Sequence, residues 1–120
     1  ELSAWLAGLR VHVNLIPYLL GKLKNTPDGD GNLLDNSLVV YGSAMGNSNM
    51  HNHKRCPLFF AGHAAGRLKG NVHVKAADGT PMANAMLGAL QTLGLDLSTF
   101  GDSTGVLDLN RAADATVAAL

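Results

Sequence analysis

Residues 33–62 read LLDNSLVVYGSAMGNSNMHNHKRCPLFFAG, and this stretch decides which fold the chain can adopt. Residues 37–41 (SLVVY) and 57–61 (PLFFA) are short, apolar and rich in β-branched or aromatic side chains, a pattern that predicts two buried strands. Between them lies a segment dense in Gly, Asn, Ser and His, residues 42–56, which we call the histidine loop. Open α/β sheets place their sites in polar loops at strand ends. We therefore expect any chemistry of this chain in the histidine loop.

Two helices are predicted on either side of this stretch. Residues 2–24 carry apolar side chains at alternating steps of four and three, which predicts one amphipathic helix with a kink or break at Pro17. Thr80 and Pro81 open a second helix as its N-cap and first residue, and Gly94 ends it in the left-handed conformation. The positions predicted to face the core are Leu2, Leu6, Leu9, Val13, Ile16, Leu20 and Leu23 in the first helix and Met82, Met86, Leu87, Leu90 and Leu93 in the second.

The rest of the chain predicts smaller elements. Residues 71–75 (NVHVK) alternate apolar and polar side chains, as a half-exposed strand does, and Val106 and Leu107 fit a short edge strand. Residues 111–120 are Ala-rich and weakly helical. The predicted fold class is α/β, with a few-stranded sheet and both helices packed on it, in a single domain over residues 1–120.

Composition excludes several classes of function. Nine basic residues balance nine acidic residues, so the net charge of zero offers no electrostatic footprint for nucleic acid. No apolar run approaches the ~20 residues that span a bilayer, and no signal-peptide pattern occurs in these 120 residues. Cys56 is the single cysteine, so it forms no disulfide within the chain and no CxxC motif.

His51 and His53 are the candidate metal ligands, since two imidazoles one residue apart on an extended loop can chelate one ion such as Zn²⁺. Further ligands would have to come from Asp35, Asp102, His63 or His73, or from residues outside this sequence. A structural role is the alternative: His and Asn side chains in such a loop also hold its turns by bonding to the backbone. The residue types leave both interpretations open.

Two other motifs match a functional pattern only in part. Asp28, Asp30 and Asn32 have the spacing of a calcium loop, but Leu33 replaces the sharp-turn Gly and Val39 replaces the bidentate Glu. The segment from Gly42 to Gly46 reads G-S-x-x-G, which is not the G-x-S-x-G elbow of serine hydrolases.

The order TPDGDGNLLDNSLVVYGSAMGNSNMHNH…PLFFAG…TPMANAMLGALQTLGLDLSTFGDSTG resembles the C-terminal part of secreted bacterial proteins from planctomycetes and acidobacteria. Those are described only as domains of unknown function and are similar to distant members of the alkaline phosphatase/sulfatase superfamily. The resemblance implies a sheet-containing α/β domain of a periplasmic or secreted protein, and for active members it implies metal-dependent hydrolysis of phosphate or sulfate esters. It also implies that these residues correspond to the C-terminal portion of a larger domain, without the segment that carries the nucleophile.

The resemblance breaks at the metal ligands. Active members follow the strand with Ser-Asp-His-Gly, whose Asp and His bind a catalytic metal, whereas this chain has Ser43-Ala44-Met45-Gly46. His51 and His53 match a His-rich stretch of the resembling proteins and are the remaining candidate ligands. Two hypotheses follow: a non-catalytic binding or assembly module, or an ester hydrolase whose other half lies elsewhere. A small ester or an anion is the expected ligand, and apolar sheet left uncovered would favour self-association.

Overall fold

The computed structural model describes residues 2–111, apart from the side chains of residues 2–6 and 9. Its first element is helix α1, Leu2–Lys24, which has the predicted bounds. The helix runs as one element through Pro17, so the predicted division into two pieces does not occur. A proline removes one backbone donor, and the long apolar helix on both sides of it outweighs that loss.

Helix α1 is only partly covered by the rest of the chain. Ile16, Leu20 and Leu23 of the predicted buried stripe are half-buried, whereas Val13 of the same stripe is 52% exposed. Helix α1 contacts a small unit next to it in the chain. In this unit β1, Pro27–Asp28, pairs with β2, Gly31–Asn32, which leads into the short helix α2, Leu33–Asn36.

The polar residues of this small unit hold its turns. The Asn32 side chain accepts a hydrogen bond from the Asp35 N–H and caps α2, and the Asn36 amide donates to the Asp28 carboxylate at 2.7 Å. The aspartates and asparagines that imitate a calcium loop in sequence therefore act as turn and cap residues.

The central hairpin consists of β3, Val39–Gly42, and β4, Leu58–Ala61. The two strands pair antiparallel, with Val39 opposite Ala61 and Gly42 opposite Leu58. Both strands were predicted from sequence, but their predicted burial is wrong: Val40, Tyr41 and Phe59 are 42–45% exposed. A two-stranded sheet is buried only where other elements pack on it. Apolar side chains alone therefore do not predict that its strands are buried.

The core lies around helix α3, Met82–Thr92. Leu87 is fully buried, and Gly94 has φ +93° and ends the helix, as predicted. Its N–H donates to the Gln91 carbonyl while the Leu95 N–H donates to the Leu90 carbonyl, the bond pattern of a Schellman motif. The buried residues of α3 are Ala83, Asn84, Ala85, Leu87, Gly88 and Ala89.

Two details of α3 differ from the sequence prediction. The N-cap is Pro81, which makes no side-chain capping bond, so Thr80 is not the cap. The buried face is also rotated: Met82, Met86 and Leu90 are half-buried and Leu93 is 44% exposed. The cause is the residues after the helix, which pack onto the side that carries Asn84 and Gly88.

The segment 100–110 wraps α3 without forming a strand. The Leu107 N–H donates to the Asn84 carbonyl, and the Thr104 N–H donates to the Asn84 side-chain oxygen at 2.9 Å. Asn110 then fixes the segment to residues 67–69, accepting from the Lys69 N–H and donating to the Arg67 carbonyl. The predicted edge strand at Val106 and Leu107 is therefore wrong, because these residues bond to a helix.

The strand predicted for residues 71–75 is also not formed, although Val72 and Val74 are half-buried and His73 is exposed, in the predicted alternation. The predicted helix over residues 111–120 lies outside the described residues, except for Arg111. Helices and strands together agree with a generic α/β class. The sheets within residues 2–111 are both small and antiparallel.

Candidate functional site

The histidine loop is held at its base by the β3–β4 hairpin. After the last strand pair, Gly42 with Leu58, the Ser43 N–H donates to the Pro57 carbonyl at 3.1 Å and extends the pairing by one step. His51 and His53 are both exposed in this one loop. Their placement at the end of the strand, facing solvent, agrees with the sequence prediction.

A second set of bonds closes the loop farther from the two strands. Asn47 and Asn52 form an isolated antiparallel bridge, and the Gly46 N–H donates to the Asn52 carbonyl at 3.1 Å. The Asn47 side-chain oxygen accepts from the N–H groups of Asn49 and Met50. The chain reverses at His51, whose φ is +50°. His51 therefore lies in the tight turn at the tip of the loop, whereas His53 lies between the Asn47–Asn52 bridge and strand β4.

Between the bridge and the strands, the Ala44 carbonyl oxygen is contacted by two side chains. His53 Nδ1 lies 2.8 Å from it and Cys56 Sγ lies 3.1 Å from it. Because a carbonyl oxygen only accepts, Nδ1 must carry the proton. In the neutral ring the lone pair is then on Nε2, the nitrogen that is free of this contact. A histidine that ligates a metal is commonly oriented by such a bond from its other nitrogen to a carbonyl.

Ser43 and Met45, on either side of Ala44, also have scaffolding roles. The Ser43 hydroxyl oxygen accepts the Met45 N–H at 3.1 Å, a local turn bond. Ala44 contributes its backbone carbonyl, and Met45 contributes its N–H. The Ser43–Met45 stretch therefore shapes the loop with backbone groups and one hydroxyl.

The acidic and histidine residues considered as further ligands are not brought to the loop. Within residues 2–111, no group of three or more His, Cys, Asp or Glu side chains is arranged to hold a metal ion. Asp35 is used in the α2 cap, where the Asn32 amide donates to its carboxylate at 2.6 Å. Arg55 extends from the loop to Asp78 at 3.8 Å, and both side chains are 81% exposed, so this ion pair contributes little.

The histidine loop contains two participants that the sequence prediction did not include. Cys56 is half-buried and joins His53 on the same acceptor. The H-x-x-C spacing of residues 53–56 was the signal that could have linked them. The Ala44 carbonyl had no sequence signal, because every residue has a backbone oxygen.

Comparison with known proteins adds no family assignment: no protein-family model, curated protein or solved structure matches this chain. Within the described range, no helix is long and apolar enough to cross a membrane.

Proposed function

We propose that this chain is a non-catalytic α/β module of the alkaline phosphatase/sulfatase type and that its histidine loop binds rather than turns over a ligand. The observation that carries the proposal is the use of Ser43, Ala44 and Met45 as loop scaffold. In active members of the resembling superfamily, the two residues after this serine are metal ligands. Here neither Ala44 nor Met45 has a carboxylate or an imidazole to offer.

The ligand we propose is a divalent transition metal ion, with Zn²⁺ as the first choice. His51 and His53 would hold it through imidazole nitrogens, and the contact of His53 Nδ1 with Ala44 leaves Nε2 for that role. We expect weak binding, because only two coordination positions of the ion are filled by protein ligands. The other positions are occupied by water or by a small anion or ester. Affinity should fall as the pH falls, since protons compete with the metal for the imidazoles.

Titration calorimetry with Zn²⁺ and with Mn²⁺ tests the binding. We expect weak Zn²⁺ binding by the parent and its loss in the double variant His51→Ala/His53→Ala. The matched control is His63→Ala/His73→Ala, which removes two exposed imidazoles outside the loop and should leave the isotherm unchanged. Identical isotherms for the parent and the loop variant would remove the proposed metal site.

The second candidate is a metal-dependent phosphate- or sulfate-ester hydrolase whose other half lies outside these residues. The contact of His53 Nδ1 with the Ala44 carbonyl, which leaves Nε2 for a metal ion, supports this candidate as it supports the first. Under either candidate, we propose a periplasmic or secreted location, which the resemblance implies.

Hydrolysis of 4-nitrophenyl phosphate and 4-nitrophenyl sulfate, with added Zn²⁺ or Mn²⁺, separates the candidates. We expect no turnover above that of the free metal. Catalysis would need a base to share the proton of a metal-bound water, and none of the residues that shape the loop near His53 is a carboxylate. Metal-dependent turnover that His51→Ala/His53→Ala abolishes would establish the hydrolase instead.

A further inference from the structure

Asp is followed directly by Gly at three places in the chain: residues 28–29, 30–31 and 78–79. In such a pair, the side-chain carboxyl carbon of the Asp and the backbone nitrogen of the Gly can join to close a five-membered ring. Glycine has no Cβ to hinder this approach, so Asp-Gly is the most reactive of the Asp pairs. In a folded protein the reaction also requires that the carboxyl group and the backbone nitrogen are free to move together.

The first two pairs lie in the β1–β2 unit, where one reacting group of each pair is restrained. Asp28 is half-buried, and its carboxylate accepts a hydrogen bond from the Asn36 amide at 2.7 Å. Gly31, which follows Asp30, pairs with Asp28 across the two strands. A Cβ at Gly31 would also lie 3.1 Å from a carboxylate oxygen of Asp35, so its backbone is closely packed. The carboxyl group of the first pair and the backbone of the second are therefore both held in place.

The third pair lies in the turn formed by residues 77–80, all of which are exposed. One backbone bond closes this turn, from the Thr80 N–H to the Ala77 carbonyl at 3.1 Å. Within residues 2–111, the Gly79 N–H has no hydrogen-bond partner, and a Cβ at Gly79 would meet no atom within 4 Å. The Asp78 carboxylate lies 3.8 Å from Arg55, but both side chains are 81% exposed, so this ion pair restrains it weakly.

We propose that Asp78 is a modification site, at which the Asp78–Gly79 linkage converts to an isoaspartyl linkage through a succinimide. The Gly79 nitrogen bonds to the side-chain carboxyl carbon of Asp78, and the carboxyl OH and the nitrogen's hydrogen leave as water. A water molecule then adds to one of the two ring carbonyl carbons. Addition at the side-chain carbon breaks the new bond and restores aspartate. Addition at the main-chain carbon breaks the original peptide bond, so the chain runs through the side chain.

The modified chain should stay folded. The isoaspartyl linkage adds one carbon to the main chain just before α3, whose N-cap is Pro81. The turn at residues 77–80 contains no buried side chain, so the extra length can be taken up without disturbing the core. We therefore expect isoaspartate at position 78 to accumulate in the folded protein.

Peptide mapping of the intact chain after prolonged incubation at neutral pH tests the site. Trypsin releases residues 25–54 and residues 76–111 as separate peptides, so Asp28 and Asp30 are analysed apart from Asp78. Electron-transfer fragmentation locates isoaspartate, because this linkage gives fragment ions that aspartate does not. A sample digested before incubation gives the background. We expect isoaspartate to form at Asp78 at least about tenfold faster than at Asp28 or Asp30.

Two controls separate the effect of the structure from that of the sequence. Asp78→Glu keeps the carboxylate but would need a six-membered ring, which closes much more slowly. This variant should give no product at position 78 and unchanged rates at Asp28 and Asp30. Incubation of the parent in urea removes the restraints on the first two pairs, so all three rates should then agree within about threefold.

Two results would overturn the proposal. The first is a folded chain in which Asp28 or Asp30 forms isoaspartate as fast as Asp78 does. The second is a folded chain in which Asp78 stays unmodified, whatever happens in urea. Circular dichroism at the start and end of the incubation checks that the chain is folded throughout.

Discussion

The histidine loop and the α3 region are both held together by asparagines and tightly placed glycines, yet they differ in what those residues anchor. In the loop, Asn47 bonds to N–H groups two and three residues away, and its surroundings are exposed. In the α3 region, Asn84 is 8% exposed and bonds to Thr104, twenty residues away. Local bonds shape a loop for presentation to solvent, whereas distant buried bonds join segments into a core. The comparison predicts that equivalent substitutions will affect only loop geometry in one region and global stability in the other.

The largest effect is expected for Gly88→Ala in the α3 region. A Cβ at Gly88 would lie 2.2 Å from the Leu107 carbonyl oxygen, so the 100–110 segment would have to move off the helix. We expect a loss of about 3 kcal/mol in the free energy of unfolding. Chemical denaturation monitored by circular dichroism measures it.

Gly8→Ala is the control for helix propensity. Gly8 is also inside a helix, but a Cβ there meets no atom within 4 Å. That change should be neutral or slightly stabilising, because Ala favours the helix over Gly by up to about 1 kcal/mol. Equal effects of the two substitutions would show that the 100–110 segment does not pack on α3 as described.

The next largest effect is expected for Asn84→Ala. It removes the buried Asn84 side chain and its part-buried bond with the Thr104 N–H, and should cost about 2 kcal/mol of stability. Asn84→Asp is the conservative partner variant, since it keeps an oxygen that accepts from Thr104 and loses the amide that donates to the Thr104 hydroxyl. Full stability of Asn84→Ala in a denaturant titration would contradict a stabilising role for the bonds between Asn84 and Thr104.

Some features of the fold can be predicted from the sequence and others cannot. The bounds of α1, the glycine that ends α3 and both strands of the central hairpin follow from local patterns, because periodicity, cap chemistry and β-propensity act within a few residues. The exposure of Val40 and Phe59 cannot be predicted from local patterns, since it depends on which other elements cover the strand. Asn84, which lies in the first turn of an apolar helix, was a usable signal, because Asn is a poor helix former and its side chain bonds to nearby backbone groups.

The candidate site was predictable in place but not in detail. Polarity and position between two strands indicated the histidine loop, and residue type indicated His51 and His53. Their orientation depends on backbone acceptors such as the Ala44 carbonyl, which leave no trace in the sequence. The metal-binding role of the two histidines stays a prediction.

A smaller effect on stability is expected for Gly46→Ala, although its steric conflict is greater than that at Gly88. A Cβ at Gly46 would lie 1.7 Å from the Lys54 carbonyl oxygen, so the two sides of the histidine loop must separate. The surroundings are exposed and can move, so the free energy of unfolding should change by less than about 1 kcal/mol. Amide hydrogen exchange should nevertheless accelerate at Asn52, whose N–H bonds across the loop to the Asn47 carbonyl. A global loss equal to that of Gly88→Ala would remove the distinction between the two regions.

The smallest effect is expected for Asn47→Ala, the loop counterpart of Asn84→Ala. The substitution removes one acceptor that serves the N–H groups of Asn49 and Met50. Both residues are exposed, so water replaces the lost bonds and the stability should change by less than about 0.5 kcal/mol. The bridge between residues 47 and 52 uses backbone atoms and should persist, which NMR chemical shifts of His51 and His53 can follow. If Asn47→Ala lowers stability as much as Asn84→Ala does, the histidine loop is part of the folding core and not a segment presented by it.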